Sequence, residues 1–125
     1  MKRIIIADDS ATARMFIKRC LQIIGLGEAE IIEAEHGKEA LAAAKEQPVD
    51  LLLTDLNMPV MDGETLVKWV KASPKLSALP IIVITSAGNP AKEKQLLELG
   101  AYKVLNKPVA PPMMMEALGE FLEDE

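Results

Sequence analysis

Apolar and polar positions along this chain of 125 residues alternate between two spacings. Short apolar runs occur at Ile4–Ala7, at Ile31–Ile32 with their neighbours, and at Leu51–Thr54, Ile81–Thr85 and Lys103–Leu105. Runs this short, bounded by charges, Pro or Gly, predict strands, and the uninterrupted ones predict strands buried on both faces. The segments between them carry helical spacing. Ala13, Phe16, Ile17, Cys20, Leu21 and Ile24 share one helical face, with Arg14, Lys18, Arg19 and Gln22 opposite. Ser10 suits the N-cap of that helix and Gly25 or Gly27 its stop. A second helix is expected from about Lys38 to Gln47, ended by Pro48, and a third from near Gly63 to just before Pro74. A fourth should follow Asn89-Pro90 and close at Gly100. A fifth should follow Pro111-Pro112 and bury Met114, Ala117, Leu118, Phe121 and Leu122.

Strands and helices that alternate in this way imply right-handed crossovers and a parallel sheet covered on both faces. The expected class is therefore α/β, with five strands and five helices in one domain over residues 1–125. No linker, repeat or low-complexity stretch divides the chain, and the acidic end Glu123-Asp124-Glu125 is expected to be a solvated helix terminus. The pattern is compatible with a flavodoxin-like doubly wound sheet of order 2-1-3-4-5, whose ligand sites lie where strands 1 and 3 meet.

Acids stand at those two strand ends. The first apolar run closes in Asp8-Asp9, and the third in Asp55, followed by Leu56-Asn57-Met58-Pro59. Bringing three carboxylates together is costly through like-charge repulsion, and a divalent cation between them makes it tolerable. The fourth run ends Thr85-Ser86-Ala87, with hydroxyls able to bond an oxyanion, and the fifth ends Asn106-Lys107-Pro108, with an ammonium suited to phosphate. The combined set fits phosphoryl chemistry: a carboxylate nucleophile, a magnesium site, and a cation for the equatorial oxygens.

Composition narrows the function. The net charge of −5 argues against binding nucleic acid through phosphate contacts. No apolar stretch is long enough to span a bilayer, and Asp8-Asp9 ends the first apolar run too early for a secretory leader. Cys20, the single cysteine, rules out an internal disulfide and suits the reducing cytoplasm.

The strand-end residues resemble those of response regulator receiver domains, and most closely the single-domain chemotaxis regulators. Asp8-Asp9, the string Asp55-Leu56-Asn57-Met58-Pro59 with Met61-Asp62-Gly63, Thr85-Ser86-Ala87 and Lys107-Pro108 all stand in the family's order, over essentially the whole chain. The strand order 2-1-3-4-5 is well known for these proteins, so the resemblance rather than the spacing carries it. The resemblance implies that Asp55 accepts a phosphoryl group from a sensor histidine kinase or phosphotransfer protein. It implies that Mg2+ is held by Asp9 directly, by Asp8 chiefly through water, by Asp55, and by the backbone carbonyl of Asn57. It further implies that Thr85 bonds a phosphoryl oxygen, and that Lys107, before a cis peptide to Pro108, pairs with Asp55 and later with the phosphoryl group. A downstream protein would dock on the face of the fourth helix, fifth strand and fifth helix, and the chain would be a monomer. One position departs. The family often carries Tyr or Phe three residues before the lysine, where this chain has Val104. Tyr102 lies at an even offset from it, hence on the same strand face, and could partly stand in.

Ordinary roles are expected for several other residues. Asp62-Gly63 reads as a turn and helix start, His36 as exposed in a turn, and Cys20 as a small core residue. Trp69 is expected at the core edge, and Lys92 to Gln95 on a solvated helix face. Of Met113, Met114 and Met115, one should be buried. Two other functions fit the pattern less well. A phosphohydrolase with an aspartyl nucleophile, of the haloacid-dehalogenase type, wants a second acid two residues on, where this chain has Asn57. A pseudo-receiver that binds partners without phosphorylation would not need the full set of acids, hydroxyl and lysine. Enzymatic activity is expected only toward the protein's own phosphoryl group.

Overall fold

The computed structural model describes residues 1–86 and 88–122. Its strands are β1 (Arg3–Ala7), β2 (Glu30–Ala34), β3 (Leu51–Thr54), β4 (Ile81–Thr85) and β5 (Lys103–Asn106). Its helices are α1 (Ala11–Leu21), α2 (Gly37–Glu46), α3 (Gly63–Ala72), α4 (Pro90–Leu99) and α5 (Pro111–Leu122). All neighbouring strands pair in parallel, in the expected order β2-β1-β3-β4-β5.

Alternation along the strands sorts the core into two layers. Ile5, Ala7, Leu52, Ile81 and Val83 face one side and pack with Ala40 and Leu41 of α2, Leu66, Val67 and Val70 of α3, and Leu96 of α4. Ile4, Ile6, Leu51, Leu53, Ile82 and Ile84 face the other and pack with Ile17 and Leu21 of α1 and Met114, Ala117 and Leu118 of α5. Apart from Arg3, Thr54 and Thr85 at their ends, these strands are apolar because each feeds both layers.

The helix ends follow their local chemistry. Ser10, Asp62 and Asn89 each accept a backbone N–H three residues on. Gly100 closes α4 at a φ of 118°. The chain leaves α1 through a wide turn at Gln22–Leu26, where Gly25 adopts φ 100° and ends the regular helix. His36 is half-buried and caps α2: its Nδ1 accepts the Glu39 N–H at 3.2 Å. An imidazole is outside the usual set of N-capping residues, so spacing alone did not disclose that role.

The packing corrects three expectations. Phe16 lies at the rim of its helical stripe and is 58% exposed, and Trp69 is 55% exposed. In both cases the neighbouring positions (Ile17, and Leu66 with Val70) fill the contact with the sheet. Arg14, expected in solvent, is largely enclosed, with its side chain 11% exposed. Among the three methionines Met114 is buried and Met115 exposed. Ala87 and the acidic end at residues 123–125 lie outside the described residues.

Helix α4 is the most lightly held. Leu96 is its buried residue. An ion pair joins it to α3, with Lys92 Nζ 2.6 Å from Glu64 Oε1.

Val60 carries backbone strain. Its φ is 67°, and the Met61 N–H bonds the Pro59 carbonyl at 2.7 Å across it. A three-residue turn with positive φ is rare, and a β-branched residue is ill suited to it. The side chain is 74% exposed, so it contributes little burial in return. Val60→Gly should raise the unfolding free energy in urea titrations by roughly 0.5–1 kcal/mol, the left-handed penalty less the chain entropy that glycine adds.

Candidate functional site

The carboxyl ends of β1, β3, β4 and β5 meet at one rim. Parallel pairing sets this: Ala7 lies opposite Thr54 and Thr85 opposite Asn106, so the residues that follow emerge together. Main-chain bonds continue past the strands, from Asp55 N–H to the Ala7 carbonyl at 2.8 Å and from Lys107 N–H to the Thr85 carbonyl at 3.0 Å. The Lys107–Pro108 peptide is cis.

Asp8, Asp9 and Asp55 each offer one carboxylate oxygen, and the three atoms lie within 4.8 Å of one another. Asp8 is 1% exposed and Asp9 exposed. The Asp55 side chain is 12% exposed. Lys107 reaches into the acids. Its Nζ is 2.9 Å from Asp8 Oδ2 and 3.4 Å from Asp55 Oδ2. The lysine thus bridges two carboxylates, with Asp8 the nearer, where the sequence pointed to Asp55 alone. The other Asp8 oxygen accepts the Ser10 N–H at 2.9 Å. With both oxygens engaged, Asp8 is suited to an outer role at a cation, and Asp9 has the freer carboxylate.

Burial pushes the Asp55 carboxyl above its ordinary pKa; the Leu56 N–H pulls it back, Asp8 raises it again, and Lys107 opposes that rise. Burial works against the charge on Lys107, but its bonds to Asp8 and Asp55 hold its pKa above the ordinary value. The two shifts describe one arrangement: a carboxylate that holds negative charge with difficulty, beside an ammonium that keeps its proton firmly.

Three hard oxygen donors in so small a space fit a small divalent cation that keeps waters among its ligands. Thr85 is fully buried at the end of β4. Asn57 is exposed two residues after Asp55. Asp8, Asp9, Asp55, Thr85 and Lys107 therefore lie at this rim, and Asn57 in the loop leaving it.

Two features escaped the sequence reading. Gly63, taken as a turn residue, is where α3 meets the backbone of Asp55. Its N–H bonds the Leu56 carbonyl at 2.8 Å, and a Cβ there would collide with the Asp55 carbonyl oxygen. The glycine itself was visible; the strand it packs against was not. Tyr102 was placed on the face of Val104, but it precedes β5 in a bend that breaks the alternation. Its ring meets Phe121 with centroids 5.2 Å apart, and its hydroxyl bonds Glu120 Oε2 at 3.0 Å. Val104 packs into the layer of α3 and α4, on the other side of the sheet. Tyr102 therefore does not stand in for the aromatic that Val104 lacks.

A model of the response regulator receiver domain matches residues 4–119, and the chain belongs to that family. It is 39% identical over 121 residues to a chemotaxis protein CheY homolog of Campylobacter jejuni, covering 96% of this chain and 92% of that one. It is 40% identical over 119 residues to chemotaxis protein CheY1 of Helicobacter pylori, covering 93% of both. Among solved structures, the chemotaxis response regulator CheY4 of Vibrio cholerae superposes with a TM-score of 0.83 at 32% identity, over 96% of this chain and 98% of that one. A CheY-like receiver domain protein of Methanospirillum hungatei gives 0.83 at 27% identity, over 99% and 95%. Among the described residues, no helix is long and apolar enough to cross a membrane.

Gly63→Ala should lower the unfolding free energy by about 2 kcal/mol or more, because the added methyl meets rigid main chain and not a movable side chain. Urea unfolding followed by far-UV circular dichroism measures it.

Proposed function

We propose that this chain is a phosphorylation-controlled switch, in one receiver unit, with Asp55 as the phosphoacceptor. The observation that carries the reading is the convergence of Asp8, Asp9, Asp55 and Lys107 at one rim. An Asp55 carboxylate oxygen attacks the phosphorus of a phosphohistidine on a sensor kinase or phosphotransfer protein. The P–O bond forms as the P–N bond breaks, and the departing imidazole nitrogen keeps the electron pair and takes a proton from solvent. Lys107 orients Asp55 beforehand and then pairs with the transferred group. Thr85 donates its hydroxyl to a phosphoryl oxygen. Mg2+ would be held by Asp9, Asp55, the Asn57 carbonyl and, through water, Asp8, and would offset charge on the phosphoryl oxygens.

The same residues limit the chemistry to the protein's own phosphoryl group. Asn57 stands where a hydrolase of this type needs a general acid, so water would attack the aspartyl phosphate without that help. Output follows from a population shift in the face of α4, β5 and α5. Leu97 on α4 and Met115 on α5 are 42% and 49% exposed, apolar side chains available to a partner. Chemotaxis is the pathway we favour, since relatives named for it match over nearly their full length. The cytoplasm is the compartment such a kinase partner requires.

Incubation with Mg2+ and acetyl phosphate should add the mass of one phosphoryl group to the wild type and none to Asp55→Asn. An unmodified wild type would instead leave a binding module that works without phosphorylation. Sedimentation should show a monomer with and without phosphodonor; a dimer under both conditions would refute that assignment.

A further inference from the structure

Arg14 sits where its own helix disfavours it. It closes the first turn of α1, which contains no acid, although the N-terminal end of a helix favours negative charge. A residue that breaks a local preference needs a reason elsewhere. Its contacts supply one. Nε lies 2.8 Å from Glu33 Oε1, and Nη1 donates to the main-chain oxygen of Asp8. Glu33 pairs in register with Ile6, which faces α1 and α5, so its carboxylate leaves β2 on the side where Arg14 waits.

The carbonyl that accepts from Arg14 belongs to the peptide joining Asp8 to Asp9. That peptide sets the directions in which the two carboxylates leave the chain. Asp8 is held further by Ser10 and Lys107. Asp9 is exposed, so its aim depends chiefly on the backbone before it. Glu33 offsets the guanidinium charge, so what Arg14 brings to the rim is a fixed donor more than a net charge.

We propose that Arg14 is a positioning residue for the cation site: anchored by Glu33, its planar fork locks the Asp8–Asp9 peptide in the orientation that lets both acids face Asp55. The role rests on the metal-binding part of the proposed function. Outer groups that orient ligands commonly govern metal affinity as strongly as this.

A charge effect would have the opposite sign. Deleting a cation near three carboxylates should tighten binding of a divalent ion; deleting a positioning donor should weaken it. Mn2+ serves as the probe, with free ion measured by its electron paramagnetic resonance signal and Mg2+ as competitor. Arg14→Ala should bind Mn2+ roughly tenfold more weakly than wild type. Arg14→Lys should fall between them, because an ammonium reaches one acceptor but cannot span both. Circular dichroism confirms that each variant is folded. Equal or tighter binding by Arg14→Ala would overturn the role. Should that variant not fold, Arg14→Lys decides alone, and wild-type affinity there would overturn it. Absence of saturable Mn2+ binding by the wild type is a separate outcome: it removes the metal site itself, and this role with it.

Discussion

Three carboxylates share one sheet rim, and the ammonium of Lys107 is what lets them do so. Asp8 is 1% exposed, and so poorly hydrated a charge needs a partner. Lys107 supplies it at 2.9 Å and reaches Asp55 at 3.4 Å with the same nitrogen. The rest of the domain serves to deliver that nitrogen. Strand β5 brings Lys107 beside β4, where its N–H bonds the Thr85 carbonyl. Strand β4 in turn pairs with β3, which carries Asp55, and β3 pairs with β1, which carries Asp8 and Asp9. The ladder of main-chain bonds thus brings each charge to the rim, and the side-chain contacts there set its final aim.

The site lies close to the part of the fold with the least hold on the core. The chain leaving Thr85 runs at once into α4, whose anchors are buried Leu96 and the pair between Lys92 and Glu64. Ion pairs of this partial exposure contribute little, about 0–1 kcal/mol. Movement of α4 is therefore inexpensive. No aromatic stands at Val104, and Tyr102 is committed to Glu120 and Phe121.

Much of this was legible in the sequence, and the reasons are specific. The apolar runs ending in Asp8-Asp9, Asp55, Thr85 and Lys107 placed four of the five strands and every charged member of the rim; β1, β3 and β4, buried almost throughout, have an unmistakable composition. The cap at Ser10, the Asn89-Pro90 start of α4 and the stop at Gly100 placed those helix ends. What stayed hidden depends on which neighbour fills the space. Phe16 and Trp69 have core chemistry but sit at the rims of their helical stripes. Arg14 looked like a solvent residue because nothing local reveals Glu33, nineteen positions away, across the turn. Tyr102 defeated a correct rule of alternation because the strand begins one residue after it.

The contact at Gly63 has a further implication. At its first residue, helix α3 touches the chain that carries Asp55 through main-chain atoms on both sides, the Asp55 carbonyl and the glycine's bare Cα. A junction of that kind carries no side-chain identity. The residues along the outer surface of α3 can therefore vary without disturbing that junction. The helix can be repainted on its outward side while the chain beneath it stays in place, so long as position 63 remains without a side chain.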